Sequence, residues 1–75
     1  MTLRDLKPGQ SGIVLSIEEN GILKRRILDM GITNGVKVKV VKMAPLGDPI
    51  QIYLRGYELS LRKEEASRIL VEKLA

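Results

Sequence analysis

Apolar residues fall along the chain in runs that change period, and each change marks an element. Ile13, Leu15 and Ile17 alternate with polar Ser16 and Glu18 behind the turn-forming run Pro8-Gly9-Gln10-Ser11-Gly12, which predicts a first strand with those three side chains inward. The period then lengthens. Leu23, Ile27 and Met30 recur at i, i+4 and i+7, predicting a helix that packs through these residues, capped by Asn20 and closed by Gly31. Glycine suits the closing position because a left-handed backbone costs it no Cβ clash.

Asn34-Gly35 predicts a turn, and Val36-Lys37-Val38-Lys39-Val40 returns to period two, with valines inward and lysines outward. Val40-Val41 breaks the phase. A bulge there lets Val41 and Met43 face inward while Lys42 faces out. Two prolines and a glycine in Ala44-Pro45-Leu46-Gly47-Asp48-Pro49 require a loop. Ile50, Ile52 and Leu54, then Tyr57, Leu59 and Leu61, predict the two strands of a hairpin turning at Gly56, with Tyr57 committed to the core and Tyr53 outward. Beyond Lys63, Ala66, Ile69, Leu70 and Leu74 fit a helix, while Leu70, Glu72 and Leu74 also alternate, so periodicity leaves both readings open. Three or four twisted strands with one inserted helix make a small, mainly β domain, and a partly open barrel is its natural closure because it hides sheet edges.

The chain has 75 residues, room for a single domain (1–75) whose stability rests on one core. Its apolar residues (44%) and charged residues (29%) are those of a folded, soluble chain rather than a disordered one. Absence of both Cys and His removes disulfides, zinc sites of the usual ligands, thiolate nucleophiles and any imidazole base, so no catalytic residue is expected and the chain reads as non-enzymatic. No cofactor or metal site is expected either. Asp5, Asp29, Asp48 and the glutamates show no ligand spacing, and adjacent Glu64 and Glu65 on a helix would point about 100° apart. There is no apolar run near the ~20 residues of a membrane span and no signal-peptide core, so a cytoplasmic location is expected. No phosphate-cradling glycine motif is present, so nucleotide hydrolysis belongs elsewhere.

Three blocks, Arg26-Ile27-Leu28-Asp29-Met30-Gly31-Ile32-Thr33-Asn34-Gly35, Ala44-Pro45-Leu46-Gly47-Asp48-Pro49 and Arg55-Gly56-Tyr57-Glu58-Leu59-Ser60-Leu61-Arg62-Lys63, resemble in order and spacing the FeoA family, ferrous iron transport protein A. The likeness extends to the lead-in Leu6-Lys7-Pro8-Gly9-Gln10. It implies a mainly β, SH3-like barrel with one inserted α-helix, and it settles the tail as a short helical turn around Lys63 to Ser67 followed by a closing strand around Ile69 to Lys73. It also implies a small cytoplasmic accessory of bacterial ferrous iron uptake that docks on the FeoB membrane transporter and modulates its assembly, gating or GTPase cycle. The rival reading is a peptide-binding or repressor-type regulatory module, with a nucleic-acid-binding barrel third and weak self-association compatible with each.

For docking, the helix carries a surplus of apolar residues, with Ile22, Leu28 and Ile32 on flanks beside Ile27 and Met30. The proline-stiffened loop presents Leu46, Gly47 and Asp48. These eight residues are the expected partner-binding set. The net charge of +4 includes basic clusters at Lys24-Arg25-Arg26 and at Lys37, Lys39 and Lys42. Two tyrosines are too few stacking platforms for single-stranded nucleic acid, and the strand lysines read most simply as solvated guards against edge aggregation.

Overall fold

The computed structural model describes residues 1–19 and 21–74. The strands β1 (Ser11–Ile17), β2 (Lys37–Met43), β3 (Ile50–Leu54), β4 (Tyr57–Leu61) and β5 (Ile69–Lys73) form one antiparallel sheet in the order β4-β3-β2-β1-β5. Helix α1 (Ile22–Asp29) lies between β1 and β2, the single turn α2 (Lys63–Ala66) lies between β4 and β5, and a 3-10 turn (Leu3–Asp5) leads in. This is the mainly β architecture expected, with the tail as helical turn plus strand. A sheet of this size has no second layer to cover its inner face, so it curls around its own apolar side chains. Val14, Val38, Val40, Ile50, Ile52, Leu54, Leu61, Ile69 and Val71 fill that interior from the strands, and Leu3, Leu6, Ile27, Ile32 and Ala66 come from the other segments.

Both predicted turns and the hairpin form. Gly31 (φ 89°) ends α1 and donates its N–H to the Leu28 carbonyl. Arg55-Gly56 joins β3 to β4 with Leu54 opposite Tyr57 and Ile50 opposite Leu61. The register slips between Val40 and Lys42, where two steps along β2 match one along β3, so Val41 is the expected bulge. Asn20, expected to cap α1, lies outside the described residues; the helix begins after Gly21.

Other expectations are corrected. In β1 it is Gly12, Val14 and Ile17 that are buried, while Leu15 is 50% exposed and Ile13 half-buried. The register against β5 shifts between Val14 and Ser16, so Leu15 bulges out and two inward residues come to be separated by an odd step. Gly12 stands inward where β5 passes closest: a Cβ there would sit 3.2 Å from both the Glu72 carbonyl oxygen and the Val71 Cβ. Tyr57 is not in the core. It is 43% exposed at the start of an edge strand, and its hydroxyl donates to the Met30 carbonyl at the end of α1. Ile32, expected on an exposed flank, is fully buried because the chain turns inward after Gly31; Ile27 is equally buried. Neither can meet a partner.

The two ends of the chain meet on one side. Thr2 bridges Leu70, the Met1 carbonyl accepts the Val71 N–H (3.0 Å), and Leu74 N–H reaches the Ser11 carbonyl (2.9 Å). The outer edge of β5 is thereby partly covered by the first residues, whereas β4 pairs only with β3.

Ile27 is the fully buried side chain of α1, and Leu23 and Met30 only flank it. Ile27→Ala should cost about 2–5 kcal/mol in urea unfolding, a large share of what so small a domain has. Gly31→Ala should cost about 1–2 kcal/mol, because it forces a side chain into the left-handed region and its Cβ would lie 2.8 Å from the Tyr57 hydroxyl.

Candidate docking surface

Ile22 and Leu46 project furthest, 81% and 88% exposed. They flank α2. Ile22 and Leu23 border a groove of about 370 Å³ whose other walls are Arg26, Arg62, Glu64 and Glu65. Leu46 and Asp48 border a second, of about 550 Å³, shared with Arg4, Lys63, Glu64 and Ser67. Glu64 lines both, so the helix flank and the proline loop are two sides of one surface whose ridge is α2.

That ridge is held by three polar contacts. Glu65 Oε1 accepts the Arg62 N–H at 2.8 Å, closing the first turn of α2 as a capping residue does. Its Oε2 is buried, makes no hydrogen bond, and lies 3.5 Å from an Arg26 guanidinium nitrogen, which ties α2 to α1. Asp48 Oδ1 accepts the Lys63 N–H at 3.0 Å, tying the loop to α2. Within the loop, Gly47 N–H reaches the Ala44 carbonyl (2.7 Å) with φ 78°, and Ala44 N–H reaches that of Pro49 (3.1 Å). Leu46 is thus an exposed apolar group on an ordered scaffold, which lowers the entropic cost of docking.

Of the expected partner-binding residues, the structure brings together Ile22, Leu46, Gly47 and Asp48. Asp48 is exposed in the groove and its carboxylate also holds the α2 backbone. Met30 is half-buried beneath Tyr57. Leu28 is partly exposed but belongs to a different hollow, with Ser16, Ile17, Lys24 and Asn34. Ile27 and Ile32 are core. The expected set omitted α2 itself. Glu65 at the third helical position makes one half of a capping box, and because Arg62 has no acceptor to make the other half the sequence carries only that partial signal.

Among the described residues no group of three or more Asp, Glu, His or Cys could hold a metal ion, and no helix is long and apolar enough to cross a membrane.

A family model described as the FeoA domain matches residues 1–73. A Porphyromonas gingivalis protein, an Fe(2+) transport protein A/Fe(2+) transporter FeoB fusion, is 37% identical over 75 residues, covering 100% of this chain and 9% of its own length. The solution structure of a FeoA-like protein from Clostridium acetobutylicum is 43% identical and superposes with a TM-score of 0.94, covering 100% of this chain and 87% of that one. Stenotrophomonas maltophilia FeoA, crystallised with zinc and described as a prokaryotic SH3 domain protein, is 30% identical with a TM-score of 0.85, covering 96% and 89% of the two chains. The sheet described above is therefore SH3-like.

Glu65→Ala should destabilise by about 1–3 kcal/mol, since the Arg62 N–H loses its partner in a half-buried place, while Glu65→Gln, which keeps an acceptor oxygen, should cost less. Thermal unfolding of the two variants at one pH distinguishes capping from the ion pair: equal losses would assign the effect to the charge.

Proposed function

The chain belongs to the FeoA family, and from that premise we propose that it serves ferrous iron uptake as a non-enzymatic cytoplasmic accessory that docks on a FeoB-type transporter. The observation that carries this is the fusion: a relative holds the whole of this chain's length and a FeoB transporter in one polypeptide. Covalent linkage raises the effective concentration of one module at the other, and it is useful where the two must meet. The chain spans 9% of that relative, and the transport itself belongs to the remainder.

The α2 ridge, with Ile22 on one side and Leu46 on the other, is the proposed contact. Large apolar groups on an ordered base, next to polar groups already satisfied, are the features of an interface anchor. Docking changes assembly, gating or the GTPase cycle only to the extent that this surface prefers one state of the transporter. Weak self-association along the unpaired side of β4 belongs to the same reading, since that edge carries unpaired backbone groups.

The test is an amide-shift titration of the ¹⁵N-labelled chain with the cytosolic GTPase domain of the cognate transporter, once with GDP and once with a non-hydrolysable GTP analogue. Shifts should cluster at residues 22–26, 44–49 and 62–67, with different affinity in the two nucleotide states. Ile22→Asp and Leu46→Asp, both at exposed positions, should keep the fold and weaken docking about tenfold or more. Unchanged binding by both folded variants would remove this surface, and equal affinity for both nucleotide states would leave a scaffold instead of a regulator.

A further inference from the structure

The outer face of β2 carries Lys37, Lys39 and Lys42, and reading these as guards of a sheet edge does not survive the topology. β2 is the central strand of β4-β3-β2-β1-β5, paired with β1 over Lys37–Lys39 and with β3 over Lys39–Met43. A central strand needs no protection from edge pairing. Nor do the lysines stand there for cross-strand ion pairs. Lys37 faces Ile13 on β1, Lys39 faces Ser11 on β1 and Tyr53 on β3, and Lys42 faces Gln51 on β3. The ion pairs among the described residues, Arg26 with Glu65 and Arg68 with Glu19, include none of them.

The column is continuous only because of the bulge at Val41. In an unbroken strand, residue 42 would point to the face opposite 37 and 39. The extra residue returns Lys42 to the outer face, opposite Gln51, while Val40 stays inward opposite Ile52. Two depressions mark this face. One, of about 370 Å³, is lined by Gly9, Ser11, Lys37, Lys39, Tyr53, Leu54 and Arg55. The other, of about 300 Å³, is lined by Lys42, Met43, Ala44, Pro49, Gln51 and Ser60. Arg55 is positioned by a hydrogen bond from its guanidinium to the Thr33 hydroxyl (3.0 Å). Neither depression has an acidic wall. Two acids lie two strands away across the sheet: Glu58 opposite Tyr53, which already accepts a hydrogen bond from Gln51, and Glu72 on β5 opposite Ile13.

The geometry points to a second binding site here, for an extended acidic polypeptide segment of a partner, running along β2 with carboxylates at alternate positions. Lys37 and Lys39 are two residues apart on a strand, about 6.7 Å, and alternate side chains of an extended segment repeat at the same distance. Lys42 continues the row, Arg55 closes one end with a fork suited to a carboxylate, and Tyr53 supplies an apolar wall. A nucleic-acid strand fits less well, because this face offers Tyr53 as its sole stacking ring. The site is separate from the α2 ridge and stands whether or not that ridge docks.

The experiment is an amide-shift titration of the full chain with a peptide alternating Glu and Ser, beside a Gln-Ser peptide of equal length, a thymidine oligonucleotide and phosphatidylserine vesicles. Binding of the Glu-Ser peptide should shift Lys37, Lys39, Lys42 and Tyr53 and weaken with added salt. Lys37→Gln/Lys39→Gln should weaken it about five- to tenfold, while Lys24→Gln/Arg25→Gln, which removes equal charge from α1, should change it less than about twofold. Equal weakening by the two double variants would mean attraction by net charge and would overturn the site. Tighter binding of the oligonucleotide or the vesicles would reassign the face to phosphates, and absence of binding or equal binding of the Gln-Ser peptide would also overturn it.

Discussion

One constraint governs this structure: a single five-stranded sheet has to bury its own inner face. Among the described residues there is no second sheet and no long helix to cover it, so the strands curl and the gaps at the ends are filled by single residues from short segments. Leu3 and Leu6 come from the lead-in, Ile27 from α1, Ile32 from the chain after it, and Ala66 from α2. Each buried aliphatic side chain contributes about 1.5–3 kcal/mol and fixes where its element sits on the sheet, while ordering the element costs about 1–2 kcal/mol per residue and draws on its hydrogen bonds and flanking contacts as well. An element anchored at one point keeps the rest of its surface free. That is how so short a chain can expose Ile22 on α1 and Leu46 on the neighbouring loop without losing its core.

Legibility of the fold in the sequence follows from how local each determinant is. The hairpin, the β2 bulge, the loop at 44–49 and the end of α1 are specified by residues near each other in the chain, and their patterns are readable. The phase of β1 is not. Ile13, Leu15 and Ile17 form a clean alternating pattern, yet the register against β5, more than fifty residues away, bulges Leu15 out and brings Val14 in. Gly12 records the same long-range contact in the absence of a side chain, which periodicity cannot see. Tyr57 misleads in a related way. Alternation places it inward, but β4 is an edge strand, and the ring finds its partner in the carbonyl of Met30. The tail was undecidable from periodicity, and the family resemblance decided it.

For the docking surface the pattern was half readable. Surplus apolar residues on α1 mark a flank that stays exposed at Ile22 and Leu28, but which of them the fold absorbs depends on the path after Gly31, and that path buries Ile32. Asp48 shows the converse. Its charge on a stiff loop is readable, and the bond by which one carboxylate oxygen holds the backbone of α2 is not. The lysines of β2 became informative only with strand order in hand, since the same residues on an edge strand would need no further account.

The meeting of the two chain ends beside β5 has a consequence for how such a domain is built into larger proteins. Met1 lies against β5 and Leu74 against β1 through the Met1–Val71 and Leu74–Ser11 hydrogen bonds. A host polypeptide joined at the front, at the back, or at both would therefore leave from the same side. A polypeptide added on that side extends the lead-in or the last strand and interrupts none of the five strands of the sheet.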